Sequence, residues 1–303
     1  MKQRIILIAK GFCIGTADII PGVSGGTMAF VLGIYGEFIA AIKSFDLAAL
    51  TALLRLDFRQ AAARPHFGFI LPLLLGIVAA LLFFTRVVPL PQLLLDYPEQ
   101  IFGLFFGLIG GSILVLLRET DAMTGMDYIT LTLGAAGGYI VFNLIPVQTP
   151  EAGWFIFIAG ALATCAMMLP GISGSFVLLI LNKYAYVFNA IGYFNLSVLL
   201  PFAGGVLAAL VFFSRLLSWI LDRWYRATVV FITGLLLASL TVIWPFQERI
   251  YETVGGDPLL VETHPVVPSG LSLPVLLSFT FIIAGIIIVL LINHFHKPRP
   301  GRG

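Results

Sequence analysis

Eight apolar stretches follow one another along the chain, and two of them carry the same short phrase in their middle. Hydropathy predicts a broken element over 3–42, helices over 67–86, 100–117 and 128–146, a second broken element over 153–192, and helices over 198–214, 227–245 and 271–293. The interruptions are Pro21-Gly22-Val23-Ser24-Gly25-Gly26 and, 149 residues later, Pro170-Gly171-Ile172-Ser173-Gly174-Ser175. Lipid supplies no hydrogen bonds to freed amides, so irregular backbone at membrane depth persists only inside protein or beside a polar cavity. Matched breaks in two halves point to a binding site.

The order of elements repeats, and residues repeat with it. Aligning Leu71–Val88 with Leu200–Leu217 pairs nine identities in eighteen positions, among them Pro72 with Pro201, Gly76 with Gly205 and Arg86 with Arg215. Hydrophobic bias alone does not place a proline, a glycine and an arginine in register. Weaker echoes follow at Gly107 and Gly234, Ser112 and Ser239, and Gly138 and Gly285. The predicted fold is an all-α polytopic membrane protein of two inverted repeats, 1–148 and 149–303. Each repeat holds one re-entrant helical hairpin and three transmembrane helices. Hairpin arms of about 15 residues rise only about 22 Å, short of the roughly 30 Å hydrocarbon core. Eight simple spans are the alternative.

Charge placement favours the hairpins. Lys2, Arg4 and Lys10 flank the first broken element on one side and Lys43, Arg55, Arg59 and Arg64 on the other, so both flanks read as cytoplasmic. Three spans then bring the second half in from outside. Arg118, Arg215, Arg223, Arg226, Lys297, Arg299 and Arg302 again fall inside, leaving Arg86 and Arg249 outside and Lys183 in the second broken element. Both termini are predicted to be cytoplasmic. Trp154, Trp219, Trp224 and Trp244 lie near segment ends, as an aromatic belt requires.

With 59% hydrophobic and 11% charged residues, the chain has too few charges to coat a soluble globule of 303 residues. The first apolar run lacks a small-residue cleavage pattern and is not read as a removable signal. Cys13 and Cys165 lie inside apolar stretches, which argues against a disulfide framework. No metal-ligand spacing, phosphate-binding loop, dinucleotide fingerprint or nucleic-acid-binding stripe is present, so no metal, cofactor or nucleic-acid partner is expected. The 246–270 segment reads as a connector without an assignable role.

The candidate chemistry therefore lies in the two tips and a few intramembrane charges. In a Pro-Gly-x-Ser-Gly turn, glycines permit close approach and successive amides converge on an anion. Ser24, Gly25, Gly26 and Thr27 in the first tip, and Ser173, Gly174 and Ser175 in the second, would supply those donors. The same small residues would also serve close helix packing. Arg86 and Arg215 occupy equivalent repeat positions, one near each membrane face under inverted topology, where a guanidinium binds oxyanions bidentately. Alternatively, each simply snorkels to an interface. Asp18 and Glu37 are the acids of the first broken element, candidates for proton coupling or a structural role, and Asp18 falls opposite Met167 in the repeat. Lys183, the sole basic residue of the second broken element, is a secondary cation candidate.

The paired Pro-Gly-x-Ser-Gly phrases, the Asp18 just before the first, and the duplicated arginine-ended helix resemble the polyprenyl-phosphate transporter family over nearly the whole chain. The resemblance implies a flippase, not an enzyme. It would return undecaprenyl phosphate, or a related polyprenyl phosphate, from the outer to the inner leaflet of the bacterial cytoplasmic membrane, recycling the carrier lipid of cell-wall peptidoglycan synthesis. The tip residues and the two arginines would then bind the substrate phosphate, with membrane lipids around the protein and a proton gradient as candidate energy source. The tips are also similar to those of undecaprenyl pyrophosphate phosphatases, which carry a Pro-Gly-x-Ser-Arg-Ser type of motif. Here Gly25 and Gly174 stand at the arginine position, and Ala41 stands where a second glutamate would pair with Glu37. Without that cation and that acid pair, hydrolysis lacks its charge stabiliser and its base. A small-ion transporter with Asp18 on a cation is a further alternative, which two arginines beside the path disfavour.

Overall fold

In a computed structural model, residues 2–20, 23–45, 55, 57, 65–88, 90–120, 122–144, 147–254, 257–268 and 270–296 are described. Pro21 and Gly22 of the first tip, Arg59, Arg64, and Lys297, Arg299 and Arg302 of the tail lie outside the described residues.

The first broken element comprises α1 (Lys2–Ile19), α2 (Gly25–Val31) and α3 (Tyr35–Lys43). After it come α4 (Phe67–Arg86), α5 (Leu90–Asp96), α6 (Pro98–Glu119) and α7 (Gly125–Phe142). The second broken element comprises α8 (Gly153–Met168), α9 (Gly174–Ile180) and α10 (Tyr184–Gly192), followed by α11 (Leu196–Arg223) and α12 (Tyr225–Val242). Strands β1 (Gln247–Val254) and β2 (Asp257–Pro265) precede α13 (Leu273–His296). Among the described residues, five helices, α4, α6, α11, α12 and α13, are long and apolar enough to cross a membrane. Helix α7 matches them in length but is diluted by Asp127 and its glycines.

Several departures have local causes. The second arm of each broken element is two short helices, not one. Helices α9 and α10 meet at 109°, and the breaks sit at Gly33 (φ +68°) and Asn182 (φ 51°), positions 149 residues apart. A left-handed residue ends a helix, and Gly and Asn tolerate that conformation best. Helix α11 runs to Arg223, past the 214 expected, whereas its counterpart stops at Arg86 and resumes as α5; Pro89 and Pro91 lie at that junction. A proline ring cannot continue an established helix without losing a backbone bond. The 246–270 segment is no plain connector, because β1 and β2 pair antiparallel from Gln247 with Pro265 to Val254 with Asp257. Gly255-Gly256 between β-branched and aromatic runs is the hairpin signal in the sequence.

Small residues set the packing. Helix α1 lies along α4 and α8 along α11, with Gly11 against the Leu73 carbonyl and Gly76 against that of Ile8. Their counterparts repeat the contact, Gly160 against Phe202 and Gly205 against Phe157. A Cβ at any of the four would meet backbone, so only glycine permits these approaches. The remaining partners are exchanged between the halves. Helix α6 packs on α13 through Gly107 and Gly285, and α7 packs on α12 through Gly134 and Gly234. Asp127, capped by Thr124 at the start of α7, holds Arg226 of α12 at 2.8 Å.

The core gathers Ile20, Ile39, Ile109, Ile232, Leu236 and Ile243, all almost wholly buried. The outer surface is apolar too, with Leu71, Leu75, Leu82, Leu133, Leu200, Leu207 and Ile283 exposed on four helices. Such a surface is untenable in water and ordinary against lipid chains. The chain is a polytopic, mainly helical membrane protein.

Candidate functional site

The two tips meet. Ser24 caps α2, its Oγ accepting the Thr27 amide at 3.2 Å and lying 2.9 Å from the Thr27 hydroxyl. Thr27 Oγ1 in turn accepts the amide of Gly171, in the second tip, at 2.8 Å. Gly171 has φ +95°, a conformation open to glycine, which turns its N–H across the interface. Tyr35 donates its hydroxyl to the Met168 carbonyl at 2.9 Å, and a Cβ on Gly26 would lie 2.7 Å from the Met167 carbonyl oxygen. Ser24 and Thr27 are 3% and 1% exposed, so they fasten the tips together instead of facing an open space between them.

Asp18 accepts the Gly25 amide at 2.6 Å through Oδ1, and a Cβ at Gly25 would lie 2.8 Å from either carboxylate oxygen. The first tip thus already holds an anionic oxygen on its backbone. The second tip is different. Met167 replaces Asp18, Ser173 is the N-cap of α9 but its side chain makes no capping bond to the helix backbone, and the Ser173 and Ser175 hydroxyls share a hydrogen bond at 2.7 Å on the surface. Gly174 packs against the Ala163 carbonyl.

A cavity of about 650 Å³ lies beside the first broken element. Its walls are the α2–α3 break and the ends of α6, α11, α12 and α13 that carry Glu119, Asp222, Tyr225 and Asn293. Glu37 is the one predicted site residue on its wall. Behind the break, Lys10 donates to the Leu32 carbonyl at 2.8 Å, satisfying an orphan acceptor at the end of α2. On the cavity wall, Ser218 accepts from Lys43 at 2.9 Å and donates to Asp222 at 3.4 Å.

The other predicted residues lie apart. Arg86 is exposed at the end of α4, and Arg215 is half-buried with its guanidinium on the Val211 carbonyl of its own helix. Lys183 is 2% exposed; its Nζ donates to the Thr149 carbonyl at 2.8 Å and lies over the Phe155 and Tyr186 rings at 5.9 and 5.8 Å. Thr149 also donates its hydroxyl to Leu181, the counterpart of Leu32, so the two helix breaks are satisfied by different side chains.

The model of the undecaprenyl phosphate translocase-like family matches residues 14–257, a span that includes both tips and the cavity-lining break. The chain belongs to this family. It is 36% identical over 248 residues to a polyprenyl-phosphate transporter of Vibrio cholerae, covering 82% of this chain and 80% of that protein. It is 32% identical over 265 residues to a polyprenyl-phosphate transporter of Staphylococcus aureus, covering 81% and 88%. No solved structure matches the chain significantly.

Within this family member, sequence reasoning missed Tyr35, Thr149, Glu119, Asp222 and Asn293. Tyr35 carried a weak signal, because Tyr184 stands 149 residues on. The cavity residues come from the ends of separate helices, which no local pattern brings together.

Proposed function

We propose that the chain is a translocase returning undecaprenyl phosphate, or a related polyprenyl phosphate, from the outer to the inner leaflet of the bacterial cytoplasmic membrane for reuse as carrier lipid. The observation that carries this reading is the contact of Asp18 with Gly25: the tip binds an anionic oxygen at 2.6 Å on a backbone donor. A phosphate oxygen has the same charge and acceptor character. Family membership and the names of the two bacterial relatives support that substrate.

The head group takes the place of Asp18 when that carboxylate is protonated or swings aside, so a proton gradient couples to transport without a cofactor. Ser24, Gly25, Gly26 and Thr27 bind it from the first tip once the Thr27 contact with Gly171 opens. Ser173, Gly174 and Ser175 bind it from the second. Arg86 guides the phosphate at one face and Arg215, leaving its own helix carbonyl, at the other. Glu37 is the acid of the first broken element that faces the cavity. The prenyl tail stays in the bilayer against the apolar outer surface. This arrangement removes the main barrier, since an isolated charge in hydrocarbon costs at least several kcal/mol.

The two halves act as inverted repeats with re-entrant hairpins, both termini cytoplasmic, rocking about the glycine-packed helices. The test is leaflet exchange of labelled undecaprenyl phosphate in proteoliposomes, with phosphate release from the pyrophosphate lipid followed in parallel. Exchange without release is expected. Release without exchange would make the chain a phosphatase.

A further inference from the structure

The two repeats differ in where they carry charge. Three carboxylates, Glu37, Glu119 and Asp222, line the cavity beside the first hairpin. Carried to the other half by the offsets that match the repeats, they fall on Tyr186, Phe246 and Leu93, none of them acidic. Conversely Ile34, in the helix break that walls the cavity, corresponds to Lys183.

Lys183 is a buried cation without a carboxylate within salt-bridge distance among the described residues, and Glu151 nearby is exposed. Its ammonium has three donors, of which one reaches the Thr149 carbonyl, and two aromatic rings cover it. Burying an ammonium with so little compensation is costly unless an anion joins it in part of the working cycle. In an inverted repeat, the conformation facing the opposite side opens the second hairpin as this one opens the first. That movement exposes the break at Asn182 and Lys183 to the cavity's counterpart.

Resting on the transport reading above, we infer that Lys183 is the phosphate-binding residue of the entry half-site, and that the acid-lined cavity of the first half is the release side. An entry half-site with a cation and no acid captures a phosphomonoester. A release side with three carboxylates expels it by like-charge repulsion. Exchange of the two half-sites during the cycle thus favours one direction for an anionic head group.

The test compares binding of geranyl phosphate and geraniol by the purified full chain. Lys183→Gln should weaken geranyl phosphate binding at least about tenfold, the size of one charge-assisted contact, and leave geraniol binding unchanged. Lys183→Arg should stay within about threefold of wild type, because it keeps the charge. Tyr186→Glu supplies the carboxylate that the other half carries at Glu37; it leaves Lys183 in place and should also weaken phosphate selectively. Wild-type phosphate affinity in Lys183→Gln or Tyr186→Glu would overturn the assignment, as would equal loss of both ligands. If the wild-type protein fails to prefer geranyl phosphate over geraniol, the transport reading itself fails.

Discussion

Thr27 of the first tip accepts the backbone N–H of Gly171 in the second at 2.8 Å, across 144 residues of sequence. Both residues are buried, and Thr27 also engages Ser24. One hydroxyl therefore joins the two repeats where their irregular backbones meet. Any movement that admits a head group between the tips must break this bond.

Thr27→Val keeps the shape but leaves the Gly171 amide unsatisfied. The loss should be about 1–3 kcal/mol of stability, read as a lower unfolding midpoint in detergent, while Thr27→Ser stays near wild type.

Asp18→Asn retains an acceptor for the Gly25 amide but no ionisable group. Wild-type exchange should rise as pH falls, because protonation releases the tip amide. The Asn variant should show a flatter profile with the fold intact, checked by exchange rates across a pH series.

Arg86→Ala should change stability by less than about 0.5 kcal/mol, since Arg86 is exposed and at a helix end. Lipid exchange should still fall at least about tenfold, with Arg86→Lys intermediate. Arg215→Ala should behave alike in the exchange assay.

Two glycines of α7 separate packing from propensity. Gly134 abuts the Phe231 carbonyl, whereas a Cβ at Gly137 meets nothing within 4 Å. Gly134→Ala should cost about 1–3 kcal/mol, and Gly137→Ala should be neutral or stabilising by up to about 1 kcal/mol, both read by thermal unfolding.

Long apolar runs made the helices legible, because lipid imposes one simple requirement on each segment. The tips were legible because Pro170-Gly171 and its counterpart break an apolar run that nothing else in the sequence excuses. The second break in each broken element was harder to see: Gly33 and Asn182 share a backbone conformation but not an identity. The Asp18 contact with Gly25 was within reach of local reasoning, seven residues apart. The Thr27 contact with Gly171 was not, since nothing local fixes how two distant tips dock. The cavity was equally hidden, because Glu37, Glu119 and Asp222 converge only after α3, α6 and α11 have packed. Asp18 and Met167 show that duplication predicts shape better than chemistry.

The most direct measurement is the rate of leaflet exchange of labelled undecaprenyl phosphate in sealed proteoliposomes, beside labelled phosphatidylglycerol in the same vesicles. Protein-dependent acceleration of the prenyl phosphate alone is the predicted result. Equal acceleration of both lipids, or of neither, would contradict a head-group path built on the two tips.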